Sequence, residues 1–414
     1  MSKIAVTNIG QLVTLTPLAD EKRLTNISRE DLGCIDSAWM TISAGKVEAS
    51  GTGELPSQYK GIETYDAQQN LVTPGFIDCH THPVFAGNRS QEFCQRLDGS
   101  TYQEIAEKGG GIKFTRRATL EASKERLIKL TESQIDKFLK CGTTAIEAKS
   151  GYGLTVDSEV KLLEVLAHIK QLSPIHLETT CLALHAVPDE FTSKQQFITE
   201  MTDKLLPIVA KRKLAKWVDA FLEKGYFSKV EVIPFLRKAK QLNLGIRLHI
   251  DEFTDQEGGT LAASHGAITA DHCEHTSVEG ILAMAKTGTI SVLLPGTSLY
   301  TKIPFANAKL FTENNCPVAL ASDYNPGSCR FYNLGFIATL GALHNGLTMA
   351  EAFAAITYVA AAALDIHHKK GSLAPGFDAD FLVLPYPNLS DWLADAGQQL
   401  PKEVFIEGKN IYLR

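Results

Sequence analysis

Two spacings of apolar and polar residues divide the chain. Over the first 70 residues the two kinds alternate in short runs, as in Gln11-Leu12-Val13-Thr14-Leu15 and Ala38-Trp39-Met40-Thr41-Ile42, separated by Gly and Pro turns. Alternation with a period of two predicts short strands with one buried face. From Leu71 the pattern changes: compact apolar runs take turns with stretches of helical spacing, Thr143–Ala148, then Leu162–Leu172, then His176–Ala186. Strand and helix in alternation predict a parallel sheet or barrel with its helices outside. After Gly371 the short strands return, in Ala379–Leu384 and Glu403-Val404-Phe405-Ile406.

The apolar runs of the middle region end near His82, Lys149, His185, Glu223, His249, His272, Leu294 and Asp323. Eight such ends, each followed by a polar or Gly-rich loop and a helix-like stretch, are what a (β/α)8 barrel requires. In that fold the strand C-termini share one catalytic face. The α/β architecture expected is therefore a TIM barrel over residues 71–370, with residues 1–70 and 371–414 pairing into one small β-sandwich. No repeat of solenoid or propeller length and no low-complexity tract interrupts it.

Composition narrows the function. Apolar residues make up 44% of the 414 and charged residues 21%, ordinary globular values that leave no place for a disordered or fibrous class. The net charge of -6, spread without long blocks of one sign, gives no electrostatic footprint for nucleic acid, so a small-molecule substrate is expected. No stretch approaches the ~18 unbroken apolar residues of a membrane span, and the start has no apolar core of signal-peptide length; cytoplasmic residence is the default expectation. Eight scattered cysteines without a C-x-x-C pair are read as reduced and mostly buried thiols.

Four strand ends carry candidate chemistry. In Pro74-Gly75-Phe76-Ile77-Asp78-Cys79-His80-Thr81-His82-Pro83, residues i and i+2 of a strand share a face, so His80 and His82 can offer two imidazoles to one ion. Alone, such a pair is as often two surface histidines; its place after an apolar strand favours ligands. In Ile246-Arg247-Leu248-His249-Ile250-Asp251-Glu252 a strand again ends in His, with a carboxylate three residues on, suited to a third ligand, His249, beside a proton-moving base, Glu252. Two further apolar runs end in His272 and Asp323. Three histidines and a carboxylate leave a divalent cation one position for water, the open arrangement of a catalytic rather than a structural site.

His168, His344, His367 and His368 lie in helix-like or charged stretches and are expected to face solvent or pack. His176 begins a strand, at the wrong end for the catalytic face. His265 and His275 are better read as structural. Gly109-Gly110-Gly111 has no Lys-Ser/Thr behind it and is no phosphate cradle.

Together these motifs resemble the amidohydrolase superfamily, and Gly371-Ser372-Leu373-Ala374-Pro375-Gly376-Phe377-Asp378-Ala379-Asp380 resembles its return to the terminal sandwich. Within it the chain is similar over essentially its whole length to the imidazolonepropionase family. The words that carry this are Val84-Phe85-Ala86-Gly87-Asn88-Arg89, Glu147-Ala148-Lys149-Ser150-Gly151-Tyr152-Gly153-Leu154, Leu184-His185-Ala186-Val187-Pro188, His249-Ile250-Asp251-Glu252 and Ser322-Asp323-Tyr324-Asn325-Pro326-Gly327-Ser328.

The resemblance implies one zinc or iron ion held by His80, His82, His249 and Asp323. It implies substrate contacts from Arg89, Tyr152, His185, Glu252, Asn325, Gly327 and Ser328, catalysis by Glu252, His272 and Asp323, and a homodimer. The activity implied is hydrolysis of the ring C–N bond of 4-imidazolone-5-propanoate to N-formimidoyl-L-glutamate. Arg89 suits the propionate tail, because its planar fork matches a carboxylate; a loop salt bridge is the plainer reading of the same residue. Two rival readings stand beside it. A metal-dependent deaminase of a purine, pyrimidine or related ring would use the same ligands, and a non-catalytic assembly protein would keep the fold without the chemistry. Glu223 and Lys224, at the end of the fourth predicted barrel strand, leave room for a second metal.

Overall fold

The computed structural model of the chain describes residues 3–100, 104–105 and 109–414. Five strands open it: β1 (Ile4–Val13), β2 (Cys34–Ser43), β3 (Lys46–Thr52), β4 (Glu63–Asp66) and β5 (Leu71–Pro74). Eight follow in the middle: β6 (Phe76–Asp78), β7 (Thr143–Lys149), β8 (His176–Leu184), β9 (Trp217–Leu222), β10 (Gly245–Ile250), β11 (Thr269–His272), β12 (Ile290–Leu293) and β13 (Val318–Leu320). Three close the chain: β14 (Phe381–Leu384), β15 (Glu403–Ile406) and β16 (Lys409–Leu413).

The middle strands form an eight-stranded parallel sheet in sequence order, β6 to β13. Their residues are buried nearly without exception, as strands covered on both faces must be. The sheet curls into a nearly closed barrel. Just beyond the ends of β6 and β13 a parallel bridge pairs Thr81 with Tyr324, Asp323 N–H donates to His80 O at 3.1 Å, and His82 N–H donates to Tyr324 O at 2.8 Å. The seam therefore ties the His80–His82 segment to Asp323.

Helices between the strands cover the barrel. Residues Lys124–Lys140 form one, started by Ser123, whose side chain accepts from Arg126 N, and they bury Leu127, Ile135, Phe138 and Leu139. The helix expected at Leu162–Leu172 begins six residues earlier, at Val156. Its first turn is polar and lacks the apolar spacing, but Thr155 caps it. Ser228 and Glu231 make a capping box at the start of Lys229–Gln241.

Both chain ends join one hydrogen-bonded sheet, ordered β16-β15-β14-β5-β1-β2-β3 with β4 beside β1. Residues 71–74, read above with the barrel, pair with β1 and β14 in this sheet. The sheet folds over on itself: the β2–β3 turn comes back onto the segment before β14, where Lys46 bridges Asp378, and a core of its own fills the fold, with Met40, Ile42, Val72, Phe381 and Phe405. The opposite face, with Leu71, Leu382 and Val404, merges into the barrel core. Of the cysteines, Cys34 and Cys94 are exposed and the other six buried, all as free thiols. No helix among the described residues is long and apolar enough to cross a membrane.

Candidate active site

The C-terminal ends of the barrel strands surround a cavity of about 800 Å³. At its floor, His80 Nε2 and His82 Nε2 lie 3.2 Å apart, and Asp323 Oδ1 is 3.5 Å from the first and 3.3 Å from the second. The ring of His249 closes the group, its centroid 4.6 Å from that of His80. One nitrogen from each of the three rings falls within 4.8 Å of the others. The residues are 0 to 4% exposed.

Carboxylates behind the rings decide which nitrogen points inward. His80 Nδ1 donates to Asp271 Oδ2 at 2.7 Å, which leaves its Nε2 lone pair facing His82 and Asp323. His249 Nδ1 faces Asp219 Oδ2 at 3.0 Å. Crowding acceptors of this kind without a donor between them is unfavourable. The arrangement fits a divalent cation, with imidazole and carboxylate donors oriented from behind, as metal-ligating histidines require. Burial works to raise the Asp323 carboxyl, but the His80 and His82 rings outweigh it and hold the group well below the usual range.

The carboxylates are themselves gathered by one lysine. Lys149 Nζ, fully buried, lies 2.7 Å from Asp219, 2.9 Å from Glu147 and 3.3 Å from Asp271. Arg247, equally buried, pairs with Glu147 at 2.8 Å and donates to Cys79 O and Ala363 O. This network was not foreseen from the sequence, although its signal was present: each member is a charged residue within a buried barrel strand.

Above the floor stand two proton-handling groups. Glu252 is 6% exposed, and burial, with the carboxyl groups of Glu274, Asp323 and Glu223 adding, pushes it well above the usual range. His272 Nε2 is 3.7 Å from Glu252 Oε2, and burial pulls this ring down to about 4. Thr297 Oγ1 donates to Asp323 Oδ2 at 2.6 Å. Asp251, His272, Cys273 and Asp323 all hold positive φ, between 51° and 78°. Non-glycine residues adopt this conformation rarely, and it gathers at functional turns.

The cavity wall brings together most of the residues expected to meet substrate: Arg89, Tyr152, His185, Glu252, Asn325 and Ser328. Arg89 does make the loop salt bridge, with Nε 2.8 Å from Glu92, and lines the cavity as well. Gly327 lies beneath it rather than on the wall: a Cβ there would sit 2.0 Å from Arg89 Nη1, so only glycine leaves room for the guanidinium. Asn325 braces this loop, its Oδ1 accepting from Gly327 N and Ser328 N and its Nδ2 donating to Ser328 Oγ and Asp323 O. His185 Nδ1 donates to Gly151 O at 2.9 Å, and burial and then His82 press the ring down to about 3, leaving it neutral.

Glu223 turns away from the floor: its Oε2 accepts from Phe253 N and Thr254 N and so shapes the loop after Glu252. Lys224 is exposed at the mouth, and neither belongs to a metal-competent group among the described residues. His168, His344 and His368 are exposed, and His265 bonds its own helix end.

A family model described as "Amidohydrolase family" matches residues 71–411. The chain is 40% identical to the imidazolonepropionase of Symbiobacterium thermophilum, over 93% of this chain and 91% of that protein. It is 40% identical to that of Geobacillus kaustophilus over 94% and 93%. Among solved structures, an adenosine deaminase from Xanthomonas campestris with bound zinc superposes with a TM-score of 0.73 at 16% identity, covering 100% of this chain and 93% of that one. Guanine deaminase of E. coli does so at 0.72 and 16%, covering 100% of both. At these identities the structural neighbours speak for the fold alone.

Proposed function

Since the chain belongs to the amidohydrolase family, we propose that it hydrolyses the ring C–N bond of 4-imidazolone-5-propanoate, giving N-formimidoyl-L-glutamate. The observation that carries the substrate is Arg89. It is a buried guanidinium on the cavity wall, held by Glu92 through Nε and seated on Gly327, where a small anion's carboxylate can be matched.

In this reading one zinc or iron ion per chain is held by His80, His82, His249 and Asp323. Such an ion supplies Lewis acidity to the attacking water and the ring carbonyl. The protein's residues do the rest. Arg89, Tyr152, His185 and the Asn325–Ser328 loop hold the substrate by its tail and ring edge, with its amide above the floor. Water adds to the carbonyl carbon while Glu252, kept in reach of a proton by burial, accepts one from it. His272, with Nε2 facing Glu252 and the floor, accepts a hydrogen bond from the attacking water and so orients it. The C–N bond breaks, the ring nitrogen leaves with the proton from Glu252, and Asp323 receives the remaining acidic proton. The cavity walls exclude bulk water from these transfers.

The experiment that tests the substrate assignment is Arg89→Met. Losing a charge-assisted contact of about 1.5–3 kcal/mol weakens substrate binding roughly 10- to 150-fold. Metal content stays full, because Arg89 is not among the proposed ligands His80, His82, His249 and Asp323. A ring analogue without the propionate binds weakly to both proteins and does not distinguish them. A variant that takes imidazolone propanoate as well as the native enzyme does rules out this assignment.

A further inference from the structure

His272 lies between two buried carboxyl groups. Its Nε2 is 3.7 Å from Glu252 Oε2, and its Nδ1 is 3.7 Å from Glu274 Oε2. Both His272 Nδ1 and Glu274 Oε2 are buried without a hydrogen-bond partner, and the Glu274 side chain is 1% exposed. Two such atoms side by side are costly unless they share a proton.

The surroundings hold them there. Glu274 Oε1 accepts from Ser298 Oγ at 3.1 Å, so Oε2 is the oxygen left for the ring. Ser298 lies on the helix Pro295–Thr301, beside Thr297, which donates to Asp323; neighbouring residues thus brace two carboxyl groups of the site. Between His272 and Glu274 the chain is bent back through two positive φ angles, 78° at His272 and 65° at Cys273. This backbone is unfavourable for non-glycine residues and persists only where the surroundings impose it. The bend brings Glu274 under the ring instead of letting it follow the strand outward.

We infer that Glu274 is a positioning residue for the reaction, which accepts the Nδ1–H of His272 and so fixes the tautomer in which Nε2 faces Glu252 and the reacting amide. The partner of one imidazole nitrogen decides the state of the other. The remaining gap is of the kind that tightens when substrate fills a site. The inference rests on the hydrolytic reading above, because it assigns Glu274 a task only through His272.

Glu274→Gln tests it. Ser298 Oγ continues to donate to the amide oxygen, so the NH2 group takes the place of Oε2 and donates to Nδ1, and the tautomer inverts. In zinc-loaded protein labelled with 15N-histidine, the His272 signals are identified by their absence in His272→Gln. Nδ1 is expected to be protonated in the native protein and unprotonated in Glu274→Gln, at unchanged zinc content. With imidazolone propanoate, kcat falls about 10- to 100-fold at nearly constant KM, and adding Glu274→Gln to His272→Gln causes no further loss, because the two act as one unit. Ser298→Ala, which removes only the brace, lowers kcat in the same His272-dependent way and serves where Glu274→Gln does not fold. A native tautomer in Glu274→Gln, or losses that add in the double variant, overturns the inference. The tautomer is read without substrate, so it stands or falls separately from the proposed function, which fails if the native protein leaves imidazolone propanoate intact.

Discussion

His249 and Glu252 stand three residues apart, and the proposed function gives them different tasks, metal binding and proton transfer, which substitution separates. His249→Ala removes a ring from the floor and is expected to lose both metal and turnover. Glu252→Gln keeps shape and hydrogen-bonding reach but cannot accept a proton, so the metal stays and turnover falls by roughly 10²–10⁴. Elemental analysis beside a turnover assay reads both; full metal in His249→Ala, or native turnover in Glu252→Gln, contradicts the proposed roles. At this scale the sequence was informative where a polar residue stops an apolar run, because a barrel strand has only one end at which to place it: His82, His249, His272 and Asp323 line one cavity, and His80 lies directly against His82 and Asp323. Glu274 gave no such signal. It follows a strand end by two residues, and only the positive φ angles at His272 and Cys273 bring it back.

The elements show what holds the floor in place. β7, β9, β10 and β11 each send charge into the barrel, Glu147 and Lys149, Asp219, Arg247, and Asp271, and Lys149 touches three of these carboxylates. Removing one partner of a buried ion pair strands the others in a low-dielectric interior. Lys149→Met is therefore expected to lower stability by about 3–5 kcal/mol, seen as an earlier midpoint in chemical denaturation; an unchanged midpoint contradicts the network. Strand positions were legible because their apolar runs are nearly continuous. Helix starts were not, as at Val156, where a polar capped turn precedes the periodic part. The charges inside the strands were visible as letters, but key partners come from strands far along the chain, 70 residues away for Lys149 and Asp219 and 122 for Lys149 and Asp271, and no local pattern records that.

Across the whole molecule the chain ends and the barrel seam set the frame. The two termini share one sheet whose inner face merges with the barrel core, which holds the first barrel strand in place beside the last. The seam between them is zipped by the backbone of His80, His82, Asp323 and Tyr324, so the same bonds that close the barrel hold the floor residues together. The sequence foretold a small β-unit shared by the two termini, and one sheet folded over its own core stands there; its strand order was not legible, since turn residues mark where strands end and not which edges rejoin. The superfamily fold admits both ring opening and deamination, and the wall around Arg89 argues for the first. The measurement that decides is incubation of the metal-loaded protein with freshly generated 4-imidazolone-5-propanoate, with the product identified by mass spectrometry and ammonia assayed alongside. A gain of one water, N-formimidoyl-L-glutamate as product and no ammonia are expected. Unchanged substrate, together with ammonia released from an aminated purine or pyrimidine ring, would contradict the proposed function.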